Sequence, residues 1–182
     1  MKIYRVETYT APKPFGDNPG FQIDRQFALN CLDAALIDAP LAGLVNDLNK
    51  LPYLFTLQCC HGHFLTTDGK EISDFDLPET IDRVEYRLAY IAFCIENSRP
   101  GKAFAQQLKN IPQKVDRSLV QFCSAQWFWD QWLNSYALQV MPQRFREKDS
   151  AVIDYQEAGE VKRVRDIFVA FMKDFTSTIL EQ

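Results

Sequence analysis

The spacing of apolar positions changes several times along the chain, and each change marks an element. Leu41, Leu44, Val45, Leu48 and Leu51 recur three and four residues apart, which predicts an amphipathic helix over 39–50. Asp38 stands at its N-cap position and Pro40 in its first turn, where a missing N–H costs nothing. Pro52 stops it. The short, aromatic-rich segment from Tyr53 to Cys60 predicts a strand. Leu88 to Ile95 is apolar at both alternating sets of positions, the mark of a strand covered on both faces. Pro100 and Gly101 then open a helix with Ala103, Phe104 and Leu108 on one face, and Leu119 to Cys123 reads as a strand.

Further on, Tyr136, Leu138 and Val140 alternate with Ser135, Ala137 and Gln139, which predicts a half-buried strand. Asp154 followed by Glu157 is a capping-box signature. It begins a helix whose stripe is Val161, Val164, Phe168, Phe171, Phe175 and Ile179. The segment from Asp24 to Leu36 leans to helix, and 65–85 is polar and turn-rich. The turn formers from Phe15 to Gly20 separate an arm over 1–20 from a core over 21–182 in one globular domain. The expected order is α-β-β-α-β-β-α, an α/β chain of the α+β kind with a single mixed sheet and helices packed against it.

Composition narrows the classes. A chain of 182 residues at 47% hydrophobic and 24% charged is globular, with a core that needs no metal or disulfide staple. The longest apolar run is too short to span a bilayer, and the start lacks a signal core, so a cytoplasmic protein without a membrane partner is expected. Five cysteines cannot all pair within one chain and read as reduced thiols. The net charge of −4 disfavours a protein that coats RNA by charge alone. Much of the acidity lies in Asp68, Glu71, Asp74, Asp76, Glu79, Asp82 and Glu85, a solvated loop by the usual reading.

Both histidines of the chain fall in Cys59-Cys60-His61-Gly62-His63. If the strand runs straight, Phe55, Leu57 and Cys59 share a face, and His61 and His63 join it. Cys59, His61 and His63 would then offer one thiolate and two imidazoles, an open site for a zinc or iron ion. If Gly62 bends the chain, Cys60 and His63 turn towards each other as a thiol beside an imidazole. The turn itself, at His61 and Gly62, could then hold a ligand with backbone N–H groups. Against these stands the plain reading of buried small hydrophobes and solvated imidazoles.

The stretch Leu44-Val45-Asn46-Asp47-Leu48-Asn49-Lys50-Leu51-Pro52 through Thr56-Leu57-Gln58-Cys59-Cys60-His61-Gly62 resembles the N-terminal signature of the third wybutosine-synthesising protein family. That signature is a helix ending in Asn-x-Leu-Pro, a strand, and then Ser-Cys-Ser-Gly-Arg. Cys60 matches its cysteine and Gly62 its glycine, while His61 replaces Ser and His63 replaces Arg. Leu88 to Cys94 and then Gly101 to Asn110 follow the family's order of elements. The resemblance implies S-adenosylmethionine as cofactor, a methyl transfer to a tricyclic guanosine in tRNA, and a site at the strand end near Cys60. On that reading Cys60 and His63 are the candidate catalytic residues, with His61 and Gly62 beside a nucleotide-type ligand.

Two other surfaces qualify as candidates. Trp127, Phe128, Trp129 and Trp132 could stack bases or, more simply, pack on the sheet. With the C-terminal helix they could instead form the contact surface of a non-enzymatic interaction domain, a homodimer included. Arg144, Arg146, Lys148, Lys162, Arg163 and Arg165 could contact phosphate, although Glu147, Asp149, Glu160 and Asp166 interleave with them.

Overall fold

The computed structural model describes residues 10–66, 68–72 and 82–181. Residues 1–9 of the expected arm, and Asp74, Asp76 and Glu79 of the acidic run, lie outside the described residues. Among the described residues there are six α-helices: α1 (Phe21–Asn30), α2 (Ala39–Leu48), α3 (Arg99–Lys109), α4 (Ile111–Val115), α5 (Gln126–Trp129) and α6 (Tyr155–Leu180). Eight strands accompany them: β1 (Leu54–Cys60), β2 (His63–Leu65), β3 (Glu71–Ile72), β4 (Arg83–Arg87), β5 (Ala89–Ile95), β6 (Val120–Ser124), β7 (Ser135–Val140) and β8 (Ser150–Asp154). The class is mixed α and β, as the periodicities predict.

The single mixed sheet is corrected. The described residues form two four-stranded sheets, in the orders β1-β5-β7-β6 and β3-β2-β4-β8, with every described pair antiparallel. The reason lies in one long ribbon that bends. β1 pairs with β5 and β2 pairs with β4, so Cys60 faces Tyr90 and His63 faces Arg87. Between them Gly62 takes φ +86°, which ends the first ladder and redirects the chain into the second sheet. Leu88 interrupts the partner strand at the same level, its N–H bonding to the Asp149 carbonyl at 2.9 Å. Alternation along one strand cannot reveal the direction of its neighbours, which is why the sequence leaves the sheet type open.

β5 lies between β1 and β7 and is covered on both faces, as its unbroken apolar run requires. Ile91, Phe93 and Ile95 join the main core with Leu44, Leu48, Val164 and Phe168 of α2 and α6. On the other face Cys94 packs with Phe21 and Phe55, and Ala92 packs with Cys123 and Ala137. α1 begins three residues before the segment that leans to helix and ends within it at Asn30, and its first residue, Phe21, packs on that side. The described part of the arm crosses the β6 and β7 side of the first sheet. Ser124 N–H bonds to the Thr10 carbonyl, and the Tyr136 hydroxyl donates to the Lys13 carbonyl, each at 2.9 Å. Among the described residues no helix is long and apolar enough to cross a membrane.

Strand β1 departs from simple alternation. Its register with β5 shifts between Thr56 and Gln58, a bulge that inserts one residue. Asn49 satisfies that bulge, accepting from Thr56 N–H and donating to the Thr56 hydroxyl, both at 2.8 Å. The expected shared face of Phe55, Leu57 and Cys59 is therefore broken. Phe55 and Leu57 pack beside Phe21, whereas Cys59 packs with Leu54 against the main core.

Candidate functional site at the sheet junction

The bend at Gly62 gathers residues from four parts of the chain. Asp38 precedes α2, Cys60 ends β1, His63 begins β2, and Arg165 comes from the middle of α6. Asp38 Oδ, Cys60 Sγ and a ring nitrogen of His63 lie within 4.8 Å of one another, and all three residues are half-buried. Thus the bent geometry is the one adopted, with Cys60 and His63 brought together. Cys59 and the His61 ring fall outside this trio.

Each member of the trio has a partner that orients it. His63 Nδ1 sits 2.6 Å from Glu71 Oε1 on the neighbouring strand β3, which leaves Nε2 facing Asp38 Oδ2 at 3.7 Å. Asp38 Oδ2 accepts the His61 backbone N–H at 2.6 Å, and Cys60 Sγ accepts the Gly62 backbone N–H at 3.4 Å. The two N–H groups that could have cradled a ligand thus have partners in the protein, Asp38 for His61 and Cys60 for Gly62. Arg165, 1% exposed, donates from Nη1 to the Gly62 carbonyl at 3.0 Å and lies 5.6 Å from the Phe64 ring centre. It also pairs with Asp166 at 3.0 Å.

Asp38 is the site residue that periodicity misassigns. It occupies the N-cap position of α2, but its side chain makes no cap hydrogen bond and turns to His61 instead. A carboxylate that gives up a cap forgoes a contribution of about 1 kcal/mol, so its placement at the bend is a structural cost. By contrast, Asp154 caps α6 as the box predicts, accepting Glu157 N–H at 2.8 Å.

The electrostatics hold Cys60 as a thiol. Burial pushes its pKa up, and the Asp38 carboxylate, to which it is hydrogen-bonded, pushes the same way. The Gly62 N–H and the Arg165 guanidinium oppose this without reversing it. Burial, with Asp38 and Cys60 nearby, raises Cys59 to about 11. Tyr90, opposite Cys60, is raised mainly by burial as well.

A cavity of about 640 Å³ opens beside Cys60, lined also by Gln58, Glu85, Arg87, Tyr90 and Trp127. Tyr90 and Trp127 meet edge to face at 6.0 Å. The other tryptophans pack on the first sheet: Trp129 on Tyr136 at 5.5 Å and Trp132 on Phe55 at 6.2 Å. Of the basic candidates, Arg144 binds Glu157, Lys162 binds Asp166 at 3.2 Å, and Arg165 is buried in the junction. The α6 stripe faces the protein's own core, where Phe175 stacks on Phe104 at 5.8 Å. Asp68 bonds to Thr66 and Lys70, away from the trio.

Fold and junction together define a mixed α and β protein with an Asp, Cys and His cluster where two antiparallel sheets meet. No protein-family model matches the chain, and no curated protein matches it in sequence. Among solved structures it is similar to the PH1069 protein from Pyrococcus horikoshii, with a TM-score of 0.53 at 11% identity over 86% of this chain and 96% of that one. A second structure of the protein, from Pyrococcus horikoshii OT3, gives a TM-score of 0.49 at 12% identity over 89% and 94% of the two chains. The first likeness shows a shared fold.

Proposed function

We propose that the protein binds a planar, nucleotide-type ligand in the cavity beside Cys60 and serves group transfer in RNA modification. The observation that carries this reading is the cavity wall, where Tyr90 and Trp127 stand next to Arg87 and Cys60. Aromatic faces stack bases without regard to sequence, and a guanidinium binds phosphate or carboxylate in a bidentate manner. The volume, about 640 Å³, lies within the common range for small-molecule sites. The specific form that the family resemblance implies is methyl transfer from S-adenosylmethionine, with Cys60 and His63 at the reacting end. His61 and Gly62 shape the bend that presents them. The net charge of −4 favours a small nucleotide-type ligand over an extended RNA surface.

Titration calorimetry with S-adenosylmethionine and S-adenosylhomocysteine tests the reading. Saturable heat is expected, with affinity lowered roughly 5- to 150-fold in Trp127→Ala, the equivalent of one lost stacking contact. Silence towards both compounds overturns the methyl-transfer form. Silence towards simple nucleotides as well overturns nucleotide binding altogether.

A further inference from the structure

We propose that Asp38, Cys60 and His63 bind one divalent transition-metal ion of the zinc type, with a coordination position left open for water or a ligand. The trio supplies one carboxylate oxygen, one cysteine sulfur and one imidazole nitrogen within 4.8 Å of one another, and metal binding releases the proton of the thiol. Zinc bonds of about 2.0–2.3 Å place tetrahedral donors about 3.3–3.8 Å apart. His63 Nε2 and Asp38 Oδ2 already stand at such an edge, 3.7 Å apart. The remaining closure is at most about 1.5 Å, a movement that side-chain rotation supplies.

The surroundings of the trio are those of a metal site. A ligating histidine commonly gives its second ring nitrogen to a carboxylate, which fixes the tautomer and aims the first nitrogen at the ion. Glu71 does this at His63 Nδ1, 2.6 Å away. The His61 N–H fixes the Asp38 carboxylate, and the Gly62 N–H reaches the Cys60 sulfur. Arg165 in turn fixes the Gly62 carbonyl, so the bend that sets the ligands is itself anchored. This ligand set differs from Cys59, His61 and His63. Cys59 turns to the core after the bulge, and His61 serves Asp38 through its backbone N–H. A mixed oxygen, sulfur and nitrogen set suits zinc or a similar borderline ion better than magnesium or calcium. Three protein ligands are the number that leaves a place for water. Cys60 also lines the 640 Å³ cavity, so a ligand bound there lies beside the ion.

Cobalt(II) titration of the metal-free protein under a phosphine reductant tests the proposal without any organic ligand. One equivalent is expected to bind, with a thiolate-to-cobalt charge-transfer band that zinc abolishes by displacement. Cys60→Ser should remove the band, whereas Cys59→Ser should leave its intensity and stoichiometry unchanged. Asp38→Asn and His63→Ala, both at half-exposed side chains, should each weaken binding at least about tenfold, and Glu71→Gln about 10- to 100-fold. Circular dichroism of each variant confirms that the fold is retained. Absence of saturable binding, a band that survives Cys60→Ser, or one lost in Cys59→Ser overturns the site. Metal binding can succeed or fail whether or not S-adenosylmethionine binds, so the two readings fail separately.

Discussion

Arg165 donates to the carbonyl of Gly62 across 103 residues of sequence, and this contact ties the last helix to the bend between the two sheets. The guanidinium is buried, so its removal leaves a carbonyl without that donor and an unfilled volume beside Phe64. Losing a buried hydrogen-bond partner costs about 1–3 kcal/mol. Arg165→Met, which keeps most of the volume, should lower unfolding stability by that amount in urea titrations. A loss below about 0.5 kcal/mol would show that the contact contributes nothing to stability.

Gly62 should tolerate no side chain. Its φ of +86° costs an L-residue about 1–2 kcal/mol. An added Cβ would also stand 2.8 Å from Ala89 Cβ and 3.1 Å from both Ala89 N and the Tyr86 hydroxyl. Overpacking of that kind adds about 1–3 kcal/mol. Gly69, at φ +80° with nothing near its missing Cβ, bears the conformational cost alone. Gly62→Ala should therefore destabilise more than Gly69→Ala, and equal midpoints in denaturant would refute the close approach as a constraint.

How far these features could be read from the sequence depends on which physical signal each one uses. α2, α3 and α6 lie where the helical period places them, each burying one stripe, and β1, β5, β6 and β7 lie where their apolar runs place them. β7, however, is buried at all six residues instead of half-buried, because it runs between β5 and β6, and a bulge breaks the alternation of β1. β4 carries the same signal in Val84 and Tyr86, both buried between exposed or half-buried neighbours, but it adjoins the acidic run and reads as loop. β3 is two residues long, too short for any period to show. The Cys60 and His63 pairing was legible as one of two geometries, and only the backbone angle of Gly62 selects it. Asp38 and Arg165 were not legible as site residues. One has the appearance of a helix cap and the other of a surface cation, and only their tertiary neighbours reveal otherwise.

Asn134 should behave as a lock for the arm. It is buried, takes φ +67°, accepts the Gly16 N–H at 2.8 Å and donates to the Gly16 carbonyl at 3.0 Å. Asn134→Gly keeps the backbone angle at no steric cost and removes only these two bonds. Asn134→Ala removes them and adds strain. Both should lose stability by roughly 1–3 kcal/mol for the unpaired groups, with Ala about 1 kcal/mol worse. Limited proteolysis should also cut near residues 10–20 faster in both variants. Wild-type cleavage rates there would contradict the assignment.

The thiols set an alkaline limit on stability. Cys59 rises from an ordinary 9.0 to about 11 in the folded protein because burial and the nearby Asp38 carboxylate disfavour its thiolate. A folded pKa above the unfolded one means that the folded state holds its proton longer. The contribution is complete below about pH 9 and is lost as pH rises through about 11. Unfolding free energy should therefore fall across that window, and Cys59→Ser, which has no thiol to titrate, should fall less. Cys94 and Cys123, both raised to about 12 by burial, extend the decline upward. Urea midpoints at half-unit pH steps from 8 to 11.5 check the sign. A midpoint that rises over this range, or identical slopes for the wild type and Cys59→Ser, would place the Cys59 sulfur in water.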